Sequence, residues 1–171
     1  MREGLGLGMS PNDAAAANAA LLDRFYTAFQ TLDASNMNAC YAPEVRFRDP
    51  VFERLEGDRA RAMWSMLAAR SSGLQLTYEL GKVDTAEGDA TWVATYNFAT
   101  TGRRVENHVQ SHFWFKDGLI SRQEDTFDLY KWASMALGPK GVLLGWLPPV
   151  QASIRKQAKD GLDKFVGGSA S

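Results

Sequence analysis

Two aspartates stand where the hydrophobic alternation of the chain runs inward. In Val45-Arg46-Phe47-Arg48-Asp49-Pro50 the apolar residues take every second place, and Asp49 takes the next one. In the last alternating run (residues 119–132) one side carries Gln123, Asp125, Phe127 and Leu129, and the other Arg122, Glu124, Thr126 and Asp128. The first side is the more apolar, so it is expected to face the interior and take Asp125 with it. A carboxyl in apolar surroundings is poorly solvated, its charged form is disfavoured, and its pKa rises. It then becomes a better base, or an acid that holds its proton near neutral pH. Two such groups in unequal surroundings can divide acid and base between them. Two plainer assignments compete. Asp49-Pro50 could end a strand with the carboxylate capping a local turn, and Asp125 could pair with Arg46 or Arg48 at a strand end.

The elements that would position these residues follow from periodicity. Pro11-Asn12-Asp13 offers a helix start, and Leu22, Phe25, Phe29 and Leu32 continue it at helical spacing. A second short helix over "MNACYA" is expected to stop at Pro43. Residues 44–49 read as a strand. After Gly57, with Asp58 as a cap, Ala60, Met63, Trp64 and Leu67 mark another helix. From Leu74 the period changes to two, giving four strands joined by Gly-containing turns: an antiparallel meander. Strands of about ten residues exceed the usual five or six and call for a long, curved sheet. Helices before a meander make an α+β layer, in which N-terminal helices pack on a strongly curved antiparallel sheet and enclose a cone-shaped pocket.

Residues 1–11 read as disordered or as an artificial leader, with Met9 as the alternative natural start. Residues 12–132 form the domain, and 133–171 a C-terminal helical extension of it. In that extension Val150, Ile154, Ala158, Leu162 and Phe165 form one stripe, packed on the body or on a second subunit, and Trp146-Leu147-Pro148-Pro149 is placed over the pocket mouth.

Composition excludes several classes. The chain has 171 residues, is 45% hydrophobic and 11% aromatic, and suits one domain with a sizeable core. With 19 basic and 20 acidic residues it has no broad basic field for nucleic acid or an anionic membrane. A single cysteine, Cys40, precludes an internal disulfide and makes the cytoplasm the default location. No apolar run is long enough to span a bilayer. His108 and His112 share a strand face but lie roughly 13 Å apart, too far to share a metal, and no Cys/His cluster supports zinc. No nucleophile elbow or phosphate loop is present. Neither metal nor cofactor is expected.

The pocket wall is expected to be largely aromatic. Trp92, Tyr96 and Phe98 share one strand face, and Asn107, Val109, Ser111 and Phe113 share the next. Phe25, Tyr26, Trp64 and Phe127 complete a lining for a hydrophobic small molecule. A core simply packed shut is the competing assignment.

"LLDRFYTAFQTLDASNMNACYAPEVRFRDPVFERLEGDRARAMWSML", followed by the meander with "FKDGLI" and "EDTFDLYKW", is similar to the nuclear transport factor 2-like superfamily. Its SnoaL-like and ketosteroid isomerase-like branch matches best, over about residues 18–132. The resemblance implies a curved sheet around a pocket, in a homodimer paired through the outer sheet face that carries His108, Gln110, His112 and Trp114. It implies cofactor-independent isomerase, cyclase, dehydratase or hydratase chemistry, or a non-catalytic ligand-binding domain. Asp49 occupies the place of the isomerases' general base, and Asp125 lies on the strand that supplies an acidic residue in cyclase-like members. The oxyanion-holding Tyr and Asp of the isomerases have no match: Phe25 stands at the Tyr position, with Tyr26 about 100° around the helix, and Ser111 stands at the Asp position. Steroid isomerisation is therefore not expected. Epoxide hydrolysis would need an inward Arg between two Asp, and neither Arg46 nor Arg48 falls clearly inward.

Overall fold

A computed structural model describes residues 8–169 of the chain; the expectation for the first seven residues lies outside it. The first helix, α1 (Pro11–Gln30), starts one residue later than its cap: Ser10 Oγ accepts the Asp13 N–H at 3.1 Å and Pro11 takes the first helical position. Leu21, Leu22, Phe25, Tyr26 and Phe29 form its buried face. A short α2 (Ala34–Ala39) is capped by Asp33, which accepts the Asn36 N–H at 3.0 Å. Strand β1 (Tyr41–Arg48) begins earlier than the alternation suggested. Pro43 lies within it rather than ending a helix, because the pairing of β1 is irregular between Tyr41 and Arg46 and no ladder N–H is needed there.

A two-residue β2 (Leu55–Glu56) leads to α3 (Asp58–Arg70). Gly57, at φ +53°, takes the cap position; Asp58 instead accepts from Arg61 at 2.9 Å. The meander follows as β3 (Gln75–Val83), β4 (Glu87–Asn97), β5 (Arg104–Lys116) and β6 (Leu119–Thr126). Asp117 and Gly118, both at positive φ, make the two-residue β5–β6 turn. The six strands lie in the order β2-β1-β6-β5-β4-β3. The meander is antiparallel, but β1 runs parallel to β6, so the sheet is mixed. This pairing sets Phe47 beside Gln123 and brings the end of β1 alongside the Asp125 end of β6.

The last alternating run does not continue as strand to Trp132. Asp128 accepts the Lys131 N–H at 2.9 Å and starts α4 (Leu129–Leu137), which carries Trp132 back over the sheet. Next come α5 (Pro139–Leu144) and α6 (Pro148–Ser169). α5 approaches α4 so closely that a Cβ on Gly141 would sit 1.9 Å from the Ala133 carbonyl oxygen. α6 packs on α3 through fully buried Leu162, with Arg59 and Asp163 paired at 2.8 Å. Trp146 is 61% exposed and does not cover the pocket.

Phe25, Phe29, Phe47, Trp64 and Trp92 pack edge to face between the helices and the sheet. On the opposite sheet face His112 bonds Asp89 and Glu87, and Arg122 lies over the Trp114 ring. No helix among the described residues is long and apolar enough to cross a membrane.

Candidate active site

Between the inner sheet face, α3 and α4 lies a cavity of about 210 Å³. Helix α3 supplies Met63, Trp64 and Leu67; β4 supplies Trp92, Ala94 and Tyr96; β5 supplies Asn107 and Val109; β6 supplies Asp125, with Phe127 just beyond it. Asp49, Val51, Phe52, Phe98 and Trp132 close the remaining sides. Trp132 is held there by its indole N–H, which donates to the Tyr96 hydroxyl at 2.9 Å. No Arg, Lys or His among the described residues lines the cavity. A larger hollow of about 730 Å³, bordered by Thr91, Val93, His108 and Gln110, is more open to solvent and contains no buried carboxyl, so it does not compete as a chemical site.

Asp49 follows immediately after β1. Its Oδ1 accepts the N–H groups of Val51 at 2.7 Å and Phe52 at 2.6 Å, and its own N–H donates to the Phe52 carbonyl at 2.9 Å. It therefore caps a local turn and lines the cavity at the same time. Burial raises its pKa to about 6, against the lowering effect of the Phe52 and Val51 N–H groups. Oδ2 has no hydrogen-bond partner among the described residues.

Asp125 is 5% exposed. Its Oδ1 accepts from Ser111 Oγ at 2.6 Å and from Gln123 Nε2 at 3.0 Å. Ser111 Oγ in turn accepts the Trp92 indole N–H at 2.8 Å. Gln123 Oε1 accepts the Tyr41 hydroxyl at 2.6 Å, and the Tyr41 oxygen accepts the Trp64 indole N–H at 2.7 Å. Burial pushes the Asp125 carboxyl up to about 7, opposed by the Ser111 and Gln123 bonds and assisted by the negative charge of Asp49. Among the described residues no cation pairs with Asp125. Arg46 and Arg48 are exposed and border a separate groove with Glu124.

Trp64, Trp92, Tyr96, Phe98, Asn107, Val109 and Phe127 line the cavity with the two aspartates. Phe25, Tyr26, Ser111 and Phe113 do not. The first two and Phe113 are fully buried in the aromatic layer beneath the wall, because α1 presses that face onto the sheet. Ser111 is spent on the Trp92–Asp125 link. Sequence reasoning missed Tyr41, whose place was hidden by reading Pro43 as a helix stop. It missed Trp132, placed on a strand, and it missed Gln123 as a partner of Asp125 although both stood on the same inward face.

The Tyr26 hydroxyl is buried beside Ser111 but has no partner in hydrogen-bonding geometry among the described residues. Leaving a buried hydroxyl unsatisfied costs about 1–3 kcal/mol. Tyr26→Phe is therefore expected to hold or raise stability, by up to about 1 kcal/mol in urea melts; a clear loss would mean that the hydroxyl has a bound partner.

Helices packed on a six-stranded mixed sheet form the α+β architecture of nuclear transport factor 2-like proteins. Residues 22–123, more than half of the chain, match the model of the SnoaL-like domain, and the chain belongs to that family. The match ends two residues before Asp125. Similar solved structures include a candidate SnoaL-like polyketide cyclase from Jannaschia sp. CCS1 (15% identity, TM-score 0.66, covering 77% of this chain and 99% of that one). A candidate polyketide cyclase from Xanthomonas campestris is 21% identical, with a TM-score of 0.64 and coverage of 72% and 98%. An LEH-like epoxide hydrolase from M. tuberculosis is 19% identical, with a TM-score of 0.56 and coverage of 78% and 98%. At these identities the likeness concerns the fold. No curated protein matches the sequence.

Proposed function

We propose that the chain is an acid–base enzyme acting on a small hydrophobic substrate by isomerisation, cyclisation, dehydration or hydration, with Asp49 as general base and Asp125 as its acid/base partner. The observation that carries this reading is that two carboxyls line one apolar cavity with no Arg, Lys or His among its described lining residues, and that burial raises their pKa values to about 6 and about 7. Between those values Asp49 is mostly charged while Asp125 is mostly protonated, which is the division of labour such a reaction needs. The missing cation weighs against epoxide hydrolysis, which would need an arginine between the acids.

Size narrows the substrate. About 210 Å³ corresponds to roughly seven waters at ~30 Å³ each and lies below the ~300 Å³ at which drug-sized sites begin. One ring, or two small fused rings, fits within this volume, and a larger substrate would extend through the open side of the pocket. The outer sheet face, with its histidines and Trp114, is the surface we propose for pairing with a second copy.

The test is proton exchange. Small cyclic enones in deuterated water are expected to exchange the hydrogen next to the carbonyl in the presence of wild-type protein and not of Asp49→Asn. If such enones bind without exchanging, the chain is a hydrophobic-ligand-binding domain instead.

A further inference from the structure

We propose that Asp125 carries its transferable proton on Oδ2 alone, because two one-way chains of hydrogen bonds converge on Oδ1 and keep that oxygen a permanent acceptor. An indole N–H donates and never accepts. Trp92 Nε1 donates to Ser111 Oγ at 2.8 Å, so the Ser111 proton must go elsewhere; Asp125 Oδ1 accepts it at 2.6 Å, whereas the neighbouring Tyr26 hydroxyl is not in hydrogen-bonding geometry. Trp64 Nε1 donates to the Tyr41 oxygen at 2.7 Å, which leaves the single Tyr41 proton for Gln123 Oε1 at 2.6 Å. The amide orientation follows: with Oε1 on Tyr41, the Gln123 NH₂ faces Asp125 and donates to Oδ1 at 3.0 Å.

Reversal is costly at each link. A proton on Oδ1 would strand the Ser111 hydroxyl proton. A flipped Gln123 amide would strand the Tyr41 proton. Tyr41, Ser111, Gln123 and Asp125 are all buried, where an unmet donor is expensive. The remaining oxygen, Oδ2, has no protein partner among the described residues, and Asp125 lines the cavity.

This inference rests on the acid–base reading for its catalytic meaning. When Asp125 acts as the acid, the Oδ2–H bond breaks, the proton bonds to the substrate, and the electron pair stays on the carboxylate. Asp49 takes up the proton lost by the substrate, so the protons balance. The new negative charge meets two donors already in place on Oδ1, and no group has to turn. Ser111 and Gln123 are thus positioning residues, and Tyr41, Trp64 and Trp92 set their direction. The titratable groups that act on Asp125 are Asp49, Tyr26 and Tyr41; no Arg, Lys or His among the described residues lines the cavity.

Two readouts test this on the intact protein with ¹³C-labelled aspartate. The first is the infrared carbonyl band of protonated Asp125, below its midpoint. With the proton on Oδ2, the C=Oδ1 group accepts two bonds, so its band lies low and shifts up in Ser111→Ala and in Gln123→Met. With the proton on Oδ1, the band lies high and both variants leave it in place, which overturns the proposal. The second readout is the Asp125 titration midpoint by carbon-detected NMR. It is expected to rise by about one unit in each of those variants, as a donor to the anion is lost, and to rise less in Tyr41→Phe. Unchanged midpoints in folded variants also overturn the proposal. Ser111→Ala removes one oxygen and decides the matter should Gln123→Met fail to fold. If the band and midpoint move but no enone exchanges, the enzymatic reading falls and the proton placement stands; exchange with immobile bands has the opposite meaning.

Discussion

Asp125→Asn is expected to stabilise the protein at pH 8 while abolishing turnover. The carboxyl has a pKa of about 7 in the folded chain, against about 3.9 when unfolded. The folded state therefore binds this proton more tightly. Its contribution to stability is fully present below about pH 4, declines as the pH rises, and is lost once the pH passes the folded value. About three pKa units correspond to a cost on the order of 4 kcal/mol at pH 8. Asparagine keeps the shape, and its Oδ1 still accepts from Ser111 and Gln123, so the variant escapes that cost. Wild type and variant should melt together near pH 4 and diverge up to pH 8, with the variant higher. Parallel curves would mean that Asp125 is ionised without strain.

Asp49→Asn is expected to lower kcat/KM by about 10²–10⁴, the usual range for losing a positioned general base. The fold should survive, because an asparagine Oδ1 can still accept the Val51 and Phe52 N–H groups that form the turn. In the wild type, kcat/KM should follow a narrow bell with limbs near pH 6 and pH 7. Those limbs belong to the interacting pair rather than to either residue. Asp49→Asn should erase the acid-side limb in the residual activity, whereas a variant that only disturbs packing would keep both limbs.

Period-two alternation was enough to point both aspartates inward, since a side chain's face on a strand depends only on its parity. The same logic found the Trp92–Tyr96 and Asn107–Val109 walls and the Asp117-Gly118 turn. Alternation carries no strand direction, so the parallel β1–β6 pair, which brings the end of β1 beside the Asp125 end of β6, was not legible. Nor does it mark where a strand yields to a capped helix. Asp128 looked like one more outward residue, yet its cap on Lys131 turns the chain and sends Trp132 over the cavity. Phe25, Tyr26 and Phe113 were inward but too deep: facing the interior does not separate a pocket wall from the layer packed behind it. The Asp125 network joins Tyr41, Trp64, Trp92, Ser111 and Gln123 across five elements, a set that only the assembled fold brings together.

The most direct test of the central claim is a carbon-detected NMR titration of the Asp49 and Asp125 carboxyls in wild type, Asp49→Asn and Asp125→Asn. The acid–base pair predicts midpoints near 6 and 7 in the wild type, and a lower Asp125 midpoint once Asp49 is neutralised. Midpoints near 4 for both groups, each unmoved by removal of the other, would contradict it.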